Sequence, residues 1–352
     1  MARPFIRAVA LEPYYSKGLA MQDFSSFILE CDQAPRLNGL ARFFNETAAG
    51  ANGMPVRRPV ADVRLLPNDP LLHRIVELHS RRQGFFDKHY HGSIPYRLEE
   101  ECRMAYALLR YSQSSSTDVL FYSLGTAEGT MARVLAELSG GKIRSLSCSP
   151  SEDNYKCFMA FGEPPHAKFF LGPFHRLSKD YLRSEGHLED FVDGFDFILE
   201  DTTFQMYSPN RKQQVEFVAH HLKPNGILLF LEKFRATDPK DYAAREAQKD
   251  FGFKAQYFGP EEIARKAKTV LNTMHRNEVS LPEMARAIYP QFKHCIVTWN
   301  CGNFYGLAAS NSAENLSRYL GLMSDPAIPI EYVYPPQPYT DFAKYVEANS
   351  QS

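Results

Sequence analysis

The sequence predicts an α/β protein whose core is a mostly parallel β-sheet flanked by helices. From residue 118 onward, short apolar runs alternate with amphipathic helical segments, which is the pattern of βαβ units. The last two apolar runs are separated only by residues 300–303, too few for the crossover that joins parallel strands, so we expect that pair to be antiparallel. A chain of 352 residues, 44% of them hydrophobic, is long enough to bury the core of such a sheet.

Composition and charge exclude several classes of partner. The 40 Lys and Arg residues are balanced by 41 Asp and Glu residues, for a net charge of -1, so the chain has no electrostatic footprint for nucleic acid or an anionic membrane. The N-terminal residues lack the apolar core of a secretory leader, and no apolar run approaches the ~18 residues of a membrane span. We therefore expect a cytoplasmic protein with a small-molecule substrate, and neither a nucleic-acid nor a membrane partner.

The cysteine and histidine patterns predict no metal site. The six cysteines are scattered without a C-x-x-C pair, which fits free thiols in a reducing compartment. One H-x-H pair, His89 and His91, and one adjacent pair at 220–221 lack a Cys, Asp or Glu at zinc-ligand spacing beside them. We interpret these histidines as solvated or packing residues.

The chain divides into three predicted parts. Residues 1–85 show no alternation of strand and helix and are rich in aromatic and turn residues, which predicts an irregular, partly helical cap with one helix over 70–82. Residues 86–310 form the sheet domain. Residues 311–352 contain a helix and a tail rich in Pro and Tyr, which we expect to dock on the domain or on a second copy in a homodimer.

Within the sheet domain, seven apolar runs predict the strands. They are 118–123, 142–147, 167–171, 195–200, 226–231, 295–299 and 304–309. The intervening segments predict helices at 98–111, 130–138, 239–250 and 260–274. Ser208 and Pro209 predict the N-cap and first position of a further helix that ends at Leu222.

A glycine-containing loop, SLGTAEG, joins the first predicted strand to the next helix. In a parallel sheet this loop lies at the carboxyl edge, where Gly125 and Gly129 would let a ligand approach the backbone and the helix would offer free N–H groups. The G-x-x-x-G spacing differs from the dinucleotide fingerprint and disfavours NAD. On its own the loop is equally consistent with a tight strand-to-helix turn, so the rest of the chain must decide.

Further motifs accompany this loop in a fixed order. GSIPYRLEEECRMAYALLRY precedes it, and CSP, LGPF, DTTFQ, LKPNG with LEKF, and WNCGNFYGL follow it. In this order the motifs resemble those of class I S-adenosylmethionine (SAM) dependent methyltransferases, and within them the carboxy-S-adenosylmethionine synthase family. The resemblance covers roughly residues 92–310. It implies a Rossmann-like class I methyltransferase fold with SAM as methyl donor or substrate and with no metal.

The resemblance also implies which residues contact SAM. On the matching positions these are Tyr96, Arg97, Ser123, Gly125, Thr126, Gly129, Ser147, Cys148, Ser149, Phe174, Asp201 and Thr202. We expect Arg97 to hold the SAM carboxylate and Asp201 to orient or deprotonate its amine, with Tyr207 and Asn303 as further catalytic candidates. From its residue type alone, Asp201 is equally consistent with a helix-capping acid.

Three positions where the family usually carries an acid are occupied here by Ser123, Ser147 and Pro173. Since a carboxylate beside an ammonium favours its charged form, the change at Ser123 makes deprotonation of the SAM amine easier. The free amine can then attack the γ-carbon that bears the sulfonium, giving azetidine-2-carboxylate and methylthioadenosine. This azetidine synthase reaction is our favoured hypothesis from the sequence, with residues 1–85 as a lid that keeps water out.

Two alternatives stay open. Methyl transfer from SAM to a small metabolite is what most proteins of this fold perform, and it predicts release of S-adenosylhomocysteine. A SAM-binding sensor without catalysis is the third reading, because lost acids can also mean lost activity. The fold alone does not decide among the three.

Overall fold

A computed structural model describes residues 23–326 and 328–347. Seven strands form one sheet: β1 (Val119–Leu124), β2 (Ile143–Ser149), β3 (Ala167–Leu171), β4 (Phe195–Asp201), β5 (Leu222–Lys233), β6 (His294–Cys301) and β7 (Phe304–Ser310). Their order is β3-β2-β1-β4-β5-β7-β6; β1 to β5 pair in parallel, and β7 runs antiparallel to β5 and β6. The predicted Rossmann-like class I methyltransferase fold, mostly parallel with an antiparallel last strand, is therefore confirmed.

Fifteen α-helices fall within the described residues. They are α1 (Ser25–Asp32), α2 (Ala41–Ala48), α3 (Pro70–Arg82), α4 (Phe85–His91), α5 (Arg97–Gln113), α6 (Thr130–Leu138), α7 (Glu152–Met159), α8 (Lys179–Ser184), α9 (Arg211–Ala219), α10 (Pro239–Ala247), α11 (Pro260–Lys266), α12 (Asn272–His275), α13 (Leu281–Ile288), α14 (Ala313–Leu322) and α15 (Lys344–Glu347). None of these fifteen combines the length and the apolar character that crossing a bilayer requires.

The sheet is buried on both faces, because helices cover each side. Helices α3, α5, α6 and α14 pack on one face, against strand residues such as Leu199 and Leu229. Helices α9 and α13 pack on the other, against Ile198 and Phe230. Successive strand residues thus point into opposite cores, which explains why the strands appear in the sequence as continuous apolar runs.

Helix α9 begins later and ends earlier than the sequence predicted. The N-cap is Asn210, whose side chain accepts a backbone N–H of the first turn, whereas the Ser208 hydroxyl accepts the N–H of Asn210 itself at 3.2 Å. Leu222 does not belong to the helix: it pairs with Phe195 as the first residue of β5. The prediction was wrong because two cap-forming residues lie close together and only one of them can begin a helix.

Two predicted helices contain a π-helical turn. The helix predicted over 239–250 is α10 followed by a π turn at Gln248–Phe253. The helix predicted over 260–274 is α11, a π turn at Ala267–Leu271, and α12. Such turns often lie at functional sites because they push side chains out of helical register.

The described part of the N-terminal segment packs over the carboxyl edge of the sheet. The Phe27 ring of α1 lies 6.3 Å from that of Phe174, and Phe44 of α2 stacks on Phe86 at 5.8 Å between ring centroids. Residues 1–22 of the predicted cap lie outside the described residues. The helix predicted over 70–82 is confirmed as α3.

The tail that follows α14 runs beside the edge strand β6. The Tyr339 N–H donates to the Val297 carbonyl at 2.6 Å, and the Val297 N–H donates to Thr340 at 3.0 Å. Phe342 is fully buried beyond this pairing. The described tail therefore docks on its own domain, while the expected homodimer stays a prediction.

Arg103, on α5, is fully buried and joins three parts of the fold. It pairs with Glu100 at 2.6 Å and donates to the carbonyls of Thr298 at 2.9 Å and Ser324 at 2.8 Å. We expect Arg103→Met to lower the free energy of unfolding by about 3–5 kcal/mol, because the Glu100 carboxylate stays buried without its partner. Urea denaturation measures this loss. The control, Arg110→Met on the exposed end of the same helix, should stay within about 0.5 kcal/mol; equal losses would contradict this account.

Candidate active site

A cavity of about 440 Å³ lies where the carboxyl ends of β1 and β4 meet helices α4 and α5. The residues that line it include Phe86, Asp87, Tyr90, Arg97, Glu101, Ser123, Gly125, Thr126, Ala127, Asp201, Thr202 and Met206. The carboxyl edge is the side of an open α/β sheet on which ligands bind. We refer to this space as the first cavity.

Two non-glycine residues with left-handed backbone line the first cavity. Ala127, in the glycine loop, has a φ of 47°, and Thr202, directly after β4, has a φ of 51°. Side chains disfavour this region, and residues held there cluster at functional sites. Their presence on both sides of one cavity supports a functional role for it.

A buried ion pair closes the floor of the first cavity. Arg97 Nη2 and the Tyr90 hydroxyl both donate to the Asp201 carboxylate, one to each oxygen. The Tyr90 hydroxyl also lies 2.9 Å from the Thr202 hydroxyl. Burial and the Asp201 charge raise the pKa of Tyr90 well above its usual value, so the phenol stays protonated and acts as a donor. In the described part of the chain, Arg97 Nε has no hydrogen-bond partner and is an open donor.

Glu101 holds the other side of this arginine. One of its oxygens lies 3.2 Å from Arg97 Nη1 and 3.0 Å from His91 Nε2, and the other lies 2.8 Å from His79 Nε2. Burial opposes ionisation of Glu101, but Arg97 and His79 outweigh it and hold its pKa well below its usual value. Glu101 is therefore an anion that orients Arg97.

The donor atoms of His79, His91 and Glu101 lie within 4.8 Å of one another, a grouping able to hold a metal ion. The sequence analysis missed it because it considered only neighbours along the chain. Hydrogen bonds account for the cluster: the Gln83 amide donates to His91 Nδ1 at 3.2 Å, so His91 Nε2 carries the proton that it gives to Glu101. The absence of a metal stays a prediction.

Other elements of the fold supply carboxyl groups to the cavity that Ser123 lines. Ser123 itself occupies a position where the family usually carries an acid. Asp87, on α4, lines the first cavity and accepts the Thr130 hydroxyl. Burial, with the nearby Glu128 carboxylate, raises the pKa of Asp87 well above its usual value. Ser123 itself is paired with the Thr126 hydroxyl at 2.8 Å. Position 123 lacks an acid, as the sequence indicated, but Asp87 and Asp201 bring carboxyl groups into the same cavity.

The glycine loop owes its glycines to packing against protein. A Cβ on Gly125 would lie 2.2 Å from Thr203 Oγ1, and a Cβ on Gly129 would lie 2.2 Å from Ser147 Oγ. The Gly125 N–H is directed at Cys148 Sγ, at 3.4 Å. The tight-turn interpretation of this motif thus explains both positions without a ligand.

Six of the predicted SAM contacts line the first cavity: Arg97, Ser123, Gly125, Thr126, Asp201 and Thr202. The remaining predicted contacts do not: Tyr96, Gly129, Ser147, Cys148, Ser149 and Phe174 lie elsewhere. Tyr96 packs against Phe253 and Tyr332, with ring centroids 5.5 and 5.3 Å away, and Ser149 accepts the Asn154 amide at 2.8 Å. The structure therefore brings together, in the first cavity, only the predicted contacts that surround the methionine part of SAM.

Two predicted catalytic residues also lie outside the first cavity. The Tyr207 ring is buried 5.0 Å from Phe174, beneath the N-terminal segment. The Asn303 amide donates to Glu246 at 3.0 Å and to the Tyr242 carbonyl at 3.2 Å. Of the three catalytic candidates, only Asp201 reaches the cavity.

The N-terminal segment covers the region where the resemblance puts the adenosine of SAM. Arg36 is buried there, with its guanidinium 4.3 Å from the centre of the Phe44 ring, and it forms no hydrogen bond or ion pair within residues 23–326 and 328–347. Burial lowers its pKa, while Tyr207 and Cys148 lie close enough to act in the opposite direction. Sequence analysis did not identify this residue.

A second cavity, of about 610 Å³, adjoins the first. The two share four lining residues: Phe86, Tyr90, Thr202 and Met206. Its other walls include apolar side chains, four lysines, and the polar residues His89, Ser93, Gln205 and Glu278. The apolar residues and lysines are Phe43, Phe44, Ile94, Val270, Leu271, Met274, Phe304, Lys233, Lys249, Lys254 and Lys266. Both π turns contribute to these walls. Sequence analysis identified none of these lysines, since they come from three separate segments.

No protein-family model and no curated protein matches the chain. Among solved structures, the plantazolicin methyltransferase BpumL in complex with SAH is similar at 11% identity and a TM-score of 0.43, covering 78% of this chain and 98% of that chain. The cyclopropane synthase MmaA2 from Mycobacterium tuberculosis is similar at 13% identity and a TM-score of 0.36, covering 58% and 64%. Similarity at these levels identifies neither a reaction nor a substrate.

Substitution of Gly129 tests the packing of the glycine loop. Gly129 and Gly140 have φ values of 67° and 61°, but a Cβ meets Ser147 at the first and nothing within 4 Å at the second. We expect Gly140→Ala to cost about 1–2 kcal/mol through backbone strain alone, and Gly129→Ala to cost clearly more. Urea denaturation measures both, and adding Ser147→Gly should recover part of the Gly129→Ala loss. Equal losses at the two glycines would contradict the packing account.

Proposed function

We propose that the protein binds the methionine end of SAM in the first cavity and transfers the methyl group of SAM to a small-molecule acceptor in the second cavity. The observation that carries this proposal is the pair of adjoining cavities, which share Phe86, Tyr90, Thr202 and Met206 at the carboxyl edge of a class I methyltransferase fold. A reaction between two substrates requires two such sites in contact.

The residues of the first cavity fit the amino-acid end of SAM. Its carboxylate needs a cationic donor, and Arg97 Nε has no hydrogen-bond partner among the described residues; its ammonium needs an anionic acceptor, and Asp201 lines the same space, with Asp87 as a neighbouring oxygen acceptor. When bound, SAM supplies an electrophilic methyl group on a sulfonium. Tyr90 stays protonated, so its role is to orient Asp201 at the boundary between the cavities.

The geometry favours methyl transfer over cyclisation of SAM. Cyclisation needs a deprotonated amine, yet carboxylates such as Asp201 favour the charged ammonium. It also needs no acceptor site, whereas a second cavity adjoins the first. The azetidine synthase reaction and the non-catalytic sensor stay predictions that the experiment below tests. The carboxy-SAM synthase resemblance also stays a prediction.

Incubation with SAM, followed by mass spectrometry, distinguishes the three activities. We expect SAM alone to remain unchanged, and S-adenosylhomocysteine to appear when a metabolite extract supplies an acceptor. Methylthioadenosine with an equimolar cyclic amino acid, formed from SAM alone, would replace our proposal with cyclisation. Tight SAM binding without any product from the extract would favour the sensor.

Asp201→Asn tests the assignment of the first cavity. We expect SAM affinity to fall at least about tenfold, because a charge-assisted contact to the ammonium is lost. Calorimetric titration with SAM measures the affinity, and thermal unfolding establishes that the variant is folded. The control is Asp153→Asn, which removes a partly exposed carboxylate on α7 that is paired with Lys156 at 2.9 Å. Unchanged SAM affinity in folded Asp201→Asn would show that SAM does not bind at this carboxylate.

A further inference from the structure

The second cavity contains an unusual concentration of lysines. Lys233 is buried and lies 2.9 Å from Glu246 and 3.0 Å from Glu278. Lys249 is also buried and shares the Glu246 carboxylate. These two ammonium groups are therefore matched by two carboxylates, and the wall that they form is electrically balanced.

Lys254 and the neighbouring acid form the next pair. Lys254 Nζ lies 2.9 Å from Asp250, which also lies 3.6 Å from Lys249. Burial and the Lys249 charge lower the pKa of Lys254 to about 8, so this single carboxylate does not offset the surrounding positive charge.

Lys266 has no acidic partner. Its ammonium group contacts His89 Nε2 and the Ser93 hydroxyl, the latter at 2.9 Å, and it forms no ion pair with any residue that the structure describes. His89 Nδ1 lies 2.5 Å from the Gly53 carbonyl and so carries the imidazole proton, which leaves Nε2 as an uncharged acceptor. Burial and Lys266 lower the pKa of His89 well below its usual value, in agreement with a neutral ring.

The cavity thus holds four ammonium groups against three carboxylates, from Glu246, Asp250 and Glu278. Burial and the charges of Lys254 and Lys249 hold the pKa of Lys266 well below its usual value, although Glu262 and Asp250 act in the opposite direction. Glu262 lines a small neighbouring pocket with Lys254 and Lys266, but its carboxylate is paired with Arg265 at 2.6 Å, so it does not remove the excess of positive charge. An anion beside Lys266 would relieve the unbalanced charge.

Much of the remaining cavity wall is apolar. Aromatic rings of Phe43, Phe44 and Phe86 and the side chains of Leu271 and Met274 face the same space as the lysines. Such a wall binds an aromatic or aliphatic body, while the few polar groups fix its orientation. The two kinds of wall together define an amphiphilic ligand with an acidic end.

We propose that the second cavity binds a small organic acid, with its carboxylate or phosphate group against Lys266 and Lys254 and its apolar body against the phenylalanine wall. One part of this inference rests on the proposed function: the identification of that acid as the methyl acceptor. The anion site itself depends on the lysines and can be tested without SAM.

Calorimetric titration of the full chain, without SAM, tests the site with three probes of similar shape. These are 3-phenylpropanoate, phenyl phosphate and the uncharged 3-phenylpropanamide. We expect at least one anion to bind about tenfold or more tightly than the amide, because it gains charge-assisted contacts with Lys266. Which anion binds tighter distinguishes a carboxylate ligand from a phosphate ligand. If neither anion binds more tightly than the amide, the proposal is wrong.

Variants at two nearby lysines locate the site. Lys266→Met should abolish the preference for the anion, Lys266→Arg should retain it, and Lys268→Met, at an exposed position two residues away, should leave it unchanged. Retention of the preference for the anion in Lys266→Met would overturn the assignment. Retention of that preference in Lys266→Arg would show that substitution at this position does not by itself unfold the site.

The pH dependence gives an independent readout. Affinity for the anion should fall as the pH is raised through about 8, where Lys254 loses its proton, and the lowered pKa of Lys266 acts in the same direction, whereas affinity for the amide should not change. Since these titrations contain no SAM, a positive result with no methylation would separate failure of the proposed reaction from failure of the anion site.

Discussion

The buried contact between Arg97 and Asp201 determines the geometry of the whole candidate site. Arg97 is the first residue of α5 and Asp201 is the last residue of β4, so this contact sets how closely the helix approaches the sheet. Buried charges are stable only when they are paired, and Glu101 completes the set on the far side of the guanidinium. Tyr90 adds α4 to the same carboxylate. Helix, strand and shared cavity wall therefore depend on one cluster of charges.

The charged groups of the two cavities differ. The carboxylates of Glu101 and Asp201 lie beside Arg97 in the first cavity, which suits the ammonium and carboxylate at the amino-acid end of the proposed SAM ligand. An excess of lysines lies in the second, which suits an anion. The boundary between them is mostly nonpolar or uncharged, with Phe86 and a protonated Tyr90. This arrangement would hold two oppositely charged substrates side by side, and it would keep each from binding in the place of the other.

Patterns of residues close together in the sequence predicted most of the helices and strands. Helix α3 was predicted from residues that share one helical face, Leu72, Ile75, Val76 and His79. In the structure Asp69 caps this helix and accepts the Leu71 N–H at 2.8 Å. The remaining elements depend on contacts between residues that are far apart in the chain. Helix α4, which supplies Tyr90 to the site, starts where Glu128 accepts the backbone N–H groups of Phe86 and Asp87, 42 and 41 residues away in the chain. The lysines of the second cavity were missed for the same reason, since nothing along the chain links α4 with the π turns.

The docking of the C-terminal tail has a consequence for any shortened form of the protein. Strand β6 lies at the end of the sheet, and hydrogen bonds with Tyr339 and Thr340 occupy part of its outer edge. A chain cut before Tyr339 would bare backbone donors and acceptors on this edge and uncover the pocket filled by Phe342. Bare sheet edges pair with one another, so truncation there would promote aggregation even though the candidate site lies at a different edge.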